Sequence, residues 1–139
     1  EQGRIVQNDS PQEIYQRPKN AFVAALFGPS NRFESCVKQG RVDTPLGCFL
    51  TEQIAETQPV EVIVRAKDIV VHQLENSQYV EARVISVHAM GDETHFRLQL
   101  PSMPERVIHA RMRDHWQASA GTKVWLSVAA EAAYIFAKA

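Results

Sequence analysis

Residues 80–100 read VEARVISVHAMGDETHFRLQL. Val80, Ala82 and Val84 alternate with Glu81 and Arg83, and Phe96, Leu98 and Leu100 alternate with His95, Arg97 and Gln99. Successive side chains of a strand point to opposite faces, so a period of two marks strands with one face buried. Met90-Gly91-Asp92-Glu93 lies between the two runs, and a Gly-Asp pair between alternating runs is a hairpin signal. The stretch therefore predicts two long antiparallel strands joined by a tight turn.

The same period recurs on both sides. Val60, Val62 and Val64 alternate with Glu61 and Ile63; Ile108, Ala110 and Met112 with His109 and Arg111; Val124, Leu126 and Val128 with Trp125 and Ser127. Breaks fall at Pro45–Gly47, Glu75–Ser77, Gly91-Asp92, Pro101–Pro104 and Gly121. Short strands separated by turn residues predict a small barrel or sandwich. One helical turn is expected over Asp114 to Ser119.

Before Asn31 the pattern differs. Arg4 to Gln7 reads as a short strand. Ser10 is placed to cap a helix, Pro11 suits its first position, and Glu13 completes a capping box. Phe22, Val23, Leu26 and Phe27 mark one face of a second helix, which Gly28-Pro29 stops. The change of period places a boundary near residue 28, with residues 1–28 and 29–139 as separate units.

Composition narrows the function classes. The net charge is −1 with acids and bases interspersed, which gives no electrostatic case for nucleic acid or an anionic membrane surface. No apolar run approaches the ~20 residues of a membrane span, and no secretory signal pattern opens the sequence. Cys36 and Cys48 stand in no metal-binding spacing and read as reduced cytosolic thiols. The five histidines, 72, 88, 95, 109 and 115, include no HExxH pair, and His95 and His109 fall on the polar faces of their strands. They read as surface residues. Asp92-Glu93 reads as turn chemistry, and Ser10, Ser86 and Ser127 lack a nucleophile elbow. Neither a catalytic residue nor a metal site is expected.

Residues 3–28, GRIVQNDSPQEIYQRPKNAFVAALFG, resemble the end of the nucleotide-binding domain in ATP-binding-cassette import ATPases. There a strand ending "GRIVQ-x-G-S/T-P" leads into "E-x-Y-x-x-P-x-N-x-FVA-x-F-x-G". Asp9 stands where the family usually has Gly. The later segments resemble the TOBE (transport-associated OB-like) domain appended to many of these ATPases. Gly40-Arg41-Val42, Thr44-Pro45-Leu46-Gly47, Val62-Ile63-Val64-Arg65, Gly121-Thr122-Lys123-Val124 and Tyr134-Ile135-Phe136 follow its pattern in order. Ala66-Lys67 replaces its Pro-Glu.

The resemblance implies a mainly β, OB-like small barrel of TOBE type, preceded by a strand and two short helices from the end of an ATPase domain. It implies the C-terminal regulatory and dimerisation part of a bacterial importer's ATP-binding subunit, cytoplasmic and peripheral to the inner membrane. Expected partners are a second copy, the rest of the ATPase subunit and the membrane permease subunits, with no nucleic acid. ATP and magnesium would be cofactors of the longer parent. This stretch has no GxxxxGK[ST], no LSGGQ and no paired Asp-Glu strand end, so no cofactor and no ATPase activity are expected in it. Phe22, Phe27, Ile63 and Trp125 are the candidate interface residues, the last two because they lie opposite the alternating core set. The alternative is a sensor domain binding the transported solute or an oxyanion. A third reading is a nucleic-acid-binding OB module, which Trp116, Trp125, Phe96 and Tyr134 raise and the charge opposes. The transported solute, whether iron, polyamine, phosphonate or sugar, is not written in these residues.

Overall fold

The computed structural model of the chain describes residues 28–114 and 118–138. The strand and helices expected before residue 28, with Phe22 and Phe27, lie outside the described residues, as do His115, Trp116 and Gln117 of the expected 114–119 turn. Ten strands follow: β1 (Ser30–Lys38), β2 (Arg41–Thr44), β3 (Gly47–Leu50), β4 (Pro59–Arg65), β5 (Ile69–His72), β6 (Val80–Met90), β7 (Glu93–Leu100), β8 (Met103–Met112), β9 (Lys123–Val128) and β10 (Ala133–Ala137). They form two five-stranded antiparallel sheets, ordered β10-β4-β1-β2-β3 and β5-β9-β6-β7-β8. The mainly β, OB-like expectation holds. No helix among the described residues is long and apolar enough to cross a membrane.

Turn chemistry sets the register. Met90 pairs with Glu93, and Gly91 alone of the two turn residues has positive φ (65°), as a hairpin turn with glycine first requires. Gln39 and Gly40 both have positive φ (54° and 70°) and join β1 to β2 with Lys38 opposite Arg41. That backbone matches strand twist, and glycine bears it without strain.

One apolar core unites the sheets. Phe33, Val37, Val42, Val60, Val62 and Val64 of the first sheet pack with Ile69, Val71, Val84, Phe96, Leu98, Ile108, Val124 and Leu126 of the second. The second sheet curls until its edge strands meet, where the Val71 N–H donates to Met112 Sδ at 3.3 Å. Burying this set supplies the main driving force for folding.

A buried side chain joins the two sheets through hydrogen bonds. Asn31 on β1 is 3% exposed. Its Nδ2 donates to the His109 carbonyl at 2.9 Å and to the Val64 carbonyl at 3.2 Å, and its Oδ1 accepts from the His109 N–H at 2.8 Å. The carboxamide thus pairs with His109 as one peptide unit pairs with another. It covers the outer edge of β8, which would otherwise expose donors and acceptors to pairing with another chain. Beside it, the Arg106 guanidinium lies 4.7 Å from the Phe33 ring centroid.

One expectation about exposure is corrected. Ile63 does lie opposite the core set of β4, but it is fully buried. Strand β10 adds to β4 with Tyr134 directly opposite Ile63, and Tyr134 and Phe136 pack over it. A pairing between residues so far apart in sequence leaves no local signal.

Replacing Asn31 by alanine strands the His109 peptide groups at the sheet junction. Asn31→Ala is expected to lower unfolding free energy by about 2–3 kcal/mol in urea titrations. A loss under about 0.5 kcal/mol would place this bond among ordinary surface contacts.

Candidate functional site

Strands β6, β7 and β8 turn one set of side chains inward and the other to the outer face. Val84, Phe96, Leu98, Ile108 and Ala110 go in. The outer set is basic. His88 lies opposite His95, His95 opposite Arg111, and Arg97 opposite both Ser86 and His109. Directly opposed side chains on one face lie about 5 Å apart at Cβ, so these groups form one cluster.

His88 reaches this face through a defect in the ladder. The β6–β7 register shifts between Val84 and Ser86, so Ile85 and Ser86 together oppose Arg97. Strict alternation from Val80, Ala82 and Val84 would have carried Ser86 and His88 inward. The bulge reverses the phase and turns His88 to the outer face, as bulges beside sites do.

Two furrows share the cluster. One, of about 180 Å³, is lined by His88, Met90, His95, Arg97, His109 and Arg111, with Pro29 and Ala66 at its side. The other, of about 390 Å³, is lined by Lys67, Glu93, Arg111 and Arg113 with the apolar Ile69, Val70 and Met112. They meet at Arg111. The Glu93 carboxylate bridges two of the basic groups through one oxygen: Arg111 Nε is 3.0 Å from Oε2 and His95 Nε2 is 3.3 Å from it. Asn31 anchors the His109 backbone, so the sheet junction also fixes one member of the cluster.

A second surface lies around β5 and β9. His72 stacks on Tyr79 with ring centroids 4.1 Å apart, and its Nε2 is 2.7 Å from Ser127 Oγ. His72, Leu74, Tyr79, Met112 and Asp114 line an open groove of about 700 Å³. Trp125 is half-buried on the outer face of β9, between His72 and Glu81. Leu74 and Val70 are exposed nearby.

Of the sequence-selected interface residues, Ile63 and Trp125 are the two among the described residues, and the structure does not bring them together. Ile63 is on β4 of one sheet, covered, and Trp125 is on β9 of the other. Arg65 is buried, donates from Nη1 to the Tyr134 hydroxyl at 3.0 Å and lies 4.7 Å from that ring's centroid. Sequence reasoning had placed His95 and His109 on polar faces without joining them to His88, Arg97 and Arg111. Period two carried part of that signal; cross-strand register supplied the rest.

Titration adds local detail. Cys36 and Cys48 are free thiols. A hydrogen bond with Asp43, then burial, pushes the Cys48 thiol up. Burial pushes the Asp68 carboxyl up, against the opposing pull of Lys67 and Arg65. No group of three or more His, Cys, Asp or Glu able to hold a metal ion occurs among the described residues.

Comparison with known proteins places this geometry. The sequence model of the TOBE domain matches residues 62–136. The chain is 29% identical over 89 residues to the spermidine/putrescine import ATP-binding protein PotA of Haemophilus influenzae, covering 58% of this chain and 24% of that protein. It is 29% identical over 114 residues to the sulfate/thiosulfate import ATP-binding protein CysA 2 of Chromobacterium violaceum, covering 79% of this chain and 31% of that protein. It therefore spans about a quarter to a third of the length of these curated relatives. Among solved structures, the cytoplasmic molybdate-binding protein ModG, with molybdate bound, superposes with a TM-score of 0.61 at 13% identity, covering 78% of this chain and 96% of ModG. That likeness is one of fold.

Asp68 gives a pH test beside the basic furrow. Its folded pKa is raised, so its contribution to stability is full below the ordinary carboxylate range and is lost as pH rises through the folded value. Asp68→Asn removes the burial penalty on the ionised form. Thermal melts are expected to show a higher Tm for the variant near about pH 7 and no difference near about pH 3. A lower Tm at neutral pH would contradict this.

Proposed function

The chain belongs to the TOBE domain family, and from that premise we propose that it is the regulatory and self-association module of an import transporter's ATP-binding subunit. In this reading residues 1–28 are the tail of the nucleotide-binding part and residues 29–139 the appended barrel. The catalytic part, with ATP and magnesium, belongs to the longer protein, which works at the cytoplasmic side of the membrane against permease subunits. The barrel itself does no chemistry.

The observation that carries this reading is a filled interior. Ile69, Val84, Leu98, Ile108 and Leu126 close the barrel with side chains, each 2% exposed or less. A barrel packed this way acts through its outer surfaces. The relatives support a role independent of cargo: one is named for a polyamine and another for sulfate and thiosulfate, a polycation and an oxyanion. One module serving cargoes of opposite charge has a mechanical task in common, holding two ATPase subunits together while their catalytic halves open and close. A twofold contact between copies does this with one self-complementary patch.

The β5–β9 face, with Trp125, His72, Tyr79, Val70 and Leu74, is the patch for that contact, because it is the outer face that joins large rings to exposed aliphatic side chains. Ile63 has no part in it.

Light scattering across a concentration series tests the reading. The chain is expected to pass from monomer to dimer, and Trp125→Glu to weaken that dimer by about tenfold or more, a buried charge at such a contact being costly. A chain that stays monomeric at the highest concentrations would overturn the self-association role.

A further inference from the structure

The outer face of β7 and β8 carries more positive charge than folding requires. Lys67, Arg97, Arg111 and Arg113, with the imidazoles of His88, His95 and His109, line two joined furrows in which Glu93 is the one carboxylate. The whole chain has a net charge of −1, so composition does not explain the clustering. Arg97 faces His109 and Arg111 faces His95 across the paired strands, so neither arginine lies opposite a carboxylate, the pairing that would favour it. Arg97 and Arg113 make no ion pair among the described residues. Local rules are broken in this way where a site needs it.

The cations form a row. Arg97 is level with His109, Arg111 with His95, and Arg113 follows the end of β8. Four residues of strand, from 109 to 113, advance about 13 Å. A single tetrahedral anion reaches one level of this row. A chain of linked phosphoryl groups reaches all of them, and guanidinium forks match phosphate oxygens in pairs. Glu93 already marks the middle of the row as an anion position, holding Arg111 and His95 through one oxygen.

We propose that this face binds a linear polyphosphate anion, either inorganic or the tail of a nucleoside triphosphate, laid along Arg97, Arg111 and Arg113 in place of the Glu93 carboxylate. The ligand exchanges one internal counter-ion for several charge-assisted hydrogen bonds. A nucleic-acid strand is also a polyanion, but Phe96, the one Phe, Tyr or Trp lining the smaller furrow, is buried and offers no surface for base stacking. The role goes beyond self-association; its arginines lie on and just after β7 and β8, and the furrow adjoins the β5–β9 patch at Val70 and Met112.

Calorimetric titration of the 139-residue chain at constant ionic strength tests the site. The probes are sodium tripolyphosphate, ATP without magnesium, sodium sulfate and a short oligothymidylate. Tripolyphosphate is expected to bind at least about tenfold more tightly than sulfate, as multiple charge-assisted contacts require. ATP binding equal to tripolyphosphate assigns recognition to the phosphate chain, and tighter ATP binding assigns the nucleotide. Arg97→Gln and Arg113→Gln together are expected to weaken binding about tenfold, and Glu93→Gln to strengthen it several-fold. Arg97 and Arg113 are exposed, so the double variant keeps its fold, which circular dichroism checks. Sulfate binding as tightly as tripolyphosphate, oligothymidylate binding more tightly, affinity unchanged in the double variant, or no binding by any probe would each overturn the proposal.

Discussion

The Asn31 carboxamide pairing with the His109 peptide is the contact on which the geometry of this barrel depends. Hydrophobic burial drives both sheets together but is not directional. It does not fix where β1 lies along β8. The two hydrogen bonds exchanged between Asn31 and His109, at 2.8 and 2.9 Å, set that alignment, and a third at 3.2 Å ties the same amide to β4. A buried polar group left half-satisfied is costly, so alternative alignments are penalised as well as the native one being favoured. The bond reaches the outer surface too, because His109 is both its partner and a lining residue of the basic furrow.

From that junction the two outer faces acquire different characters. Around β5 and β9 the rings of His72, Tyr79 and Trp125 sit beside exposed Val70 and Leu74. Across β6, β7 and β8 the arginines and imidazoles gather around Glu93. The interior between them is packed, so the barrel presents two outer surfaces, which adjoin at Val70 and Met112. An apolar surface suits a lasting contact, and a charged one a soluble ligand that comes and goes.

Much of the fold was legible in sequence because its strands are local. The 80–100 hairpin follows from alternation plus Gly91-Asp92, and β4, β8 and β9 follow from the same period. What escaped depended on partners distant in sequence. Ile63 belonged to the polar alternation of β4, and only the pairing of β10 showed Tyr134 covering it. His88 read as a surface residue and is one, but its place beside His95 depends on the register shift between Val84 and Ser86, which leaves no visible sequence signal. The basic cluster draws on three strands, so its members are spread along the chain from His88 to Arg111 and meet across strands only through register. The buried role of Asn31 had no signal at all beyond its place at the start of the strand-rich part.

Amide hydrogen exchange at His109 tests most directly whether the two sheets are one cooperative unit locked at that bond. The account predicts that the His109 N–H exchanges only with global unfolding, at the same free energy as core amides such as Val62 and Leu98. Exchange of His109 through a low-energy local opening, with the amides of both sheets still protected, would show that the sheets part without unfolding and would contradict it.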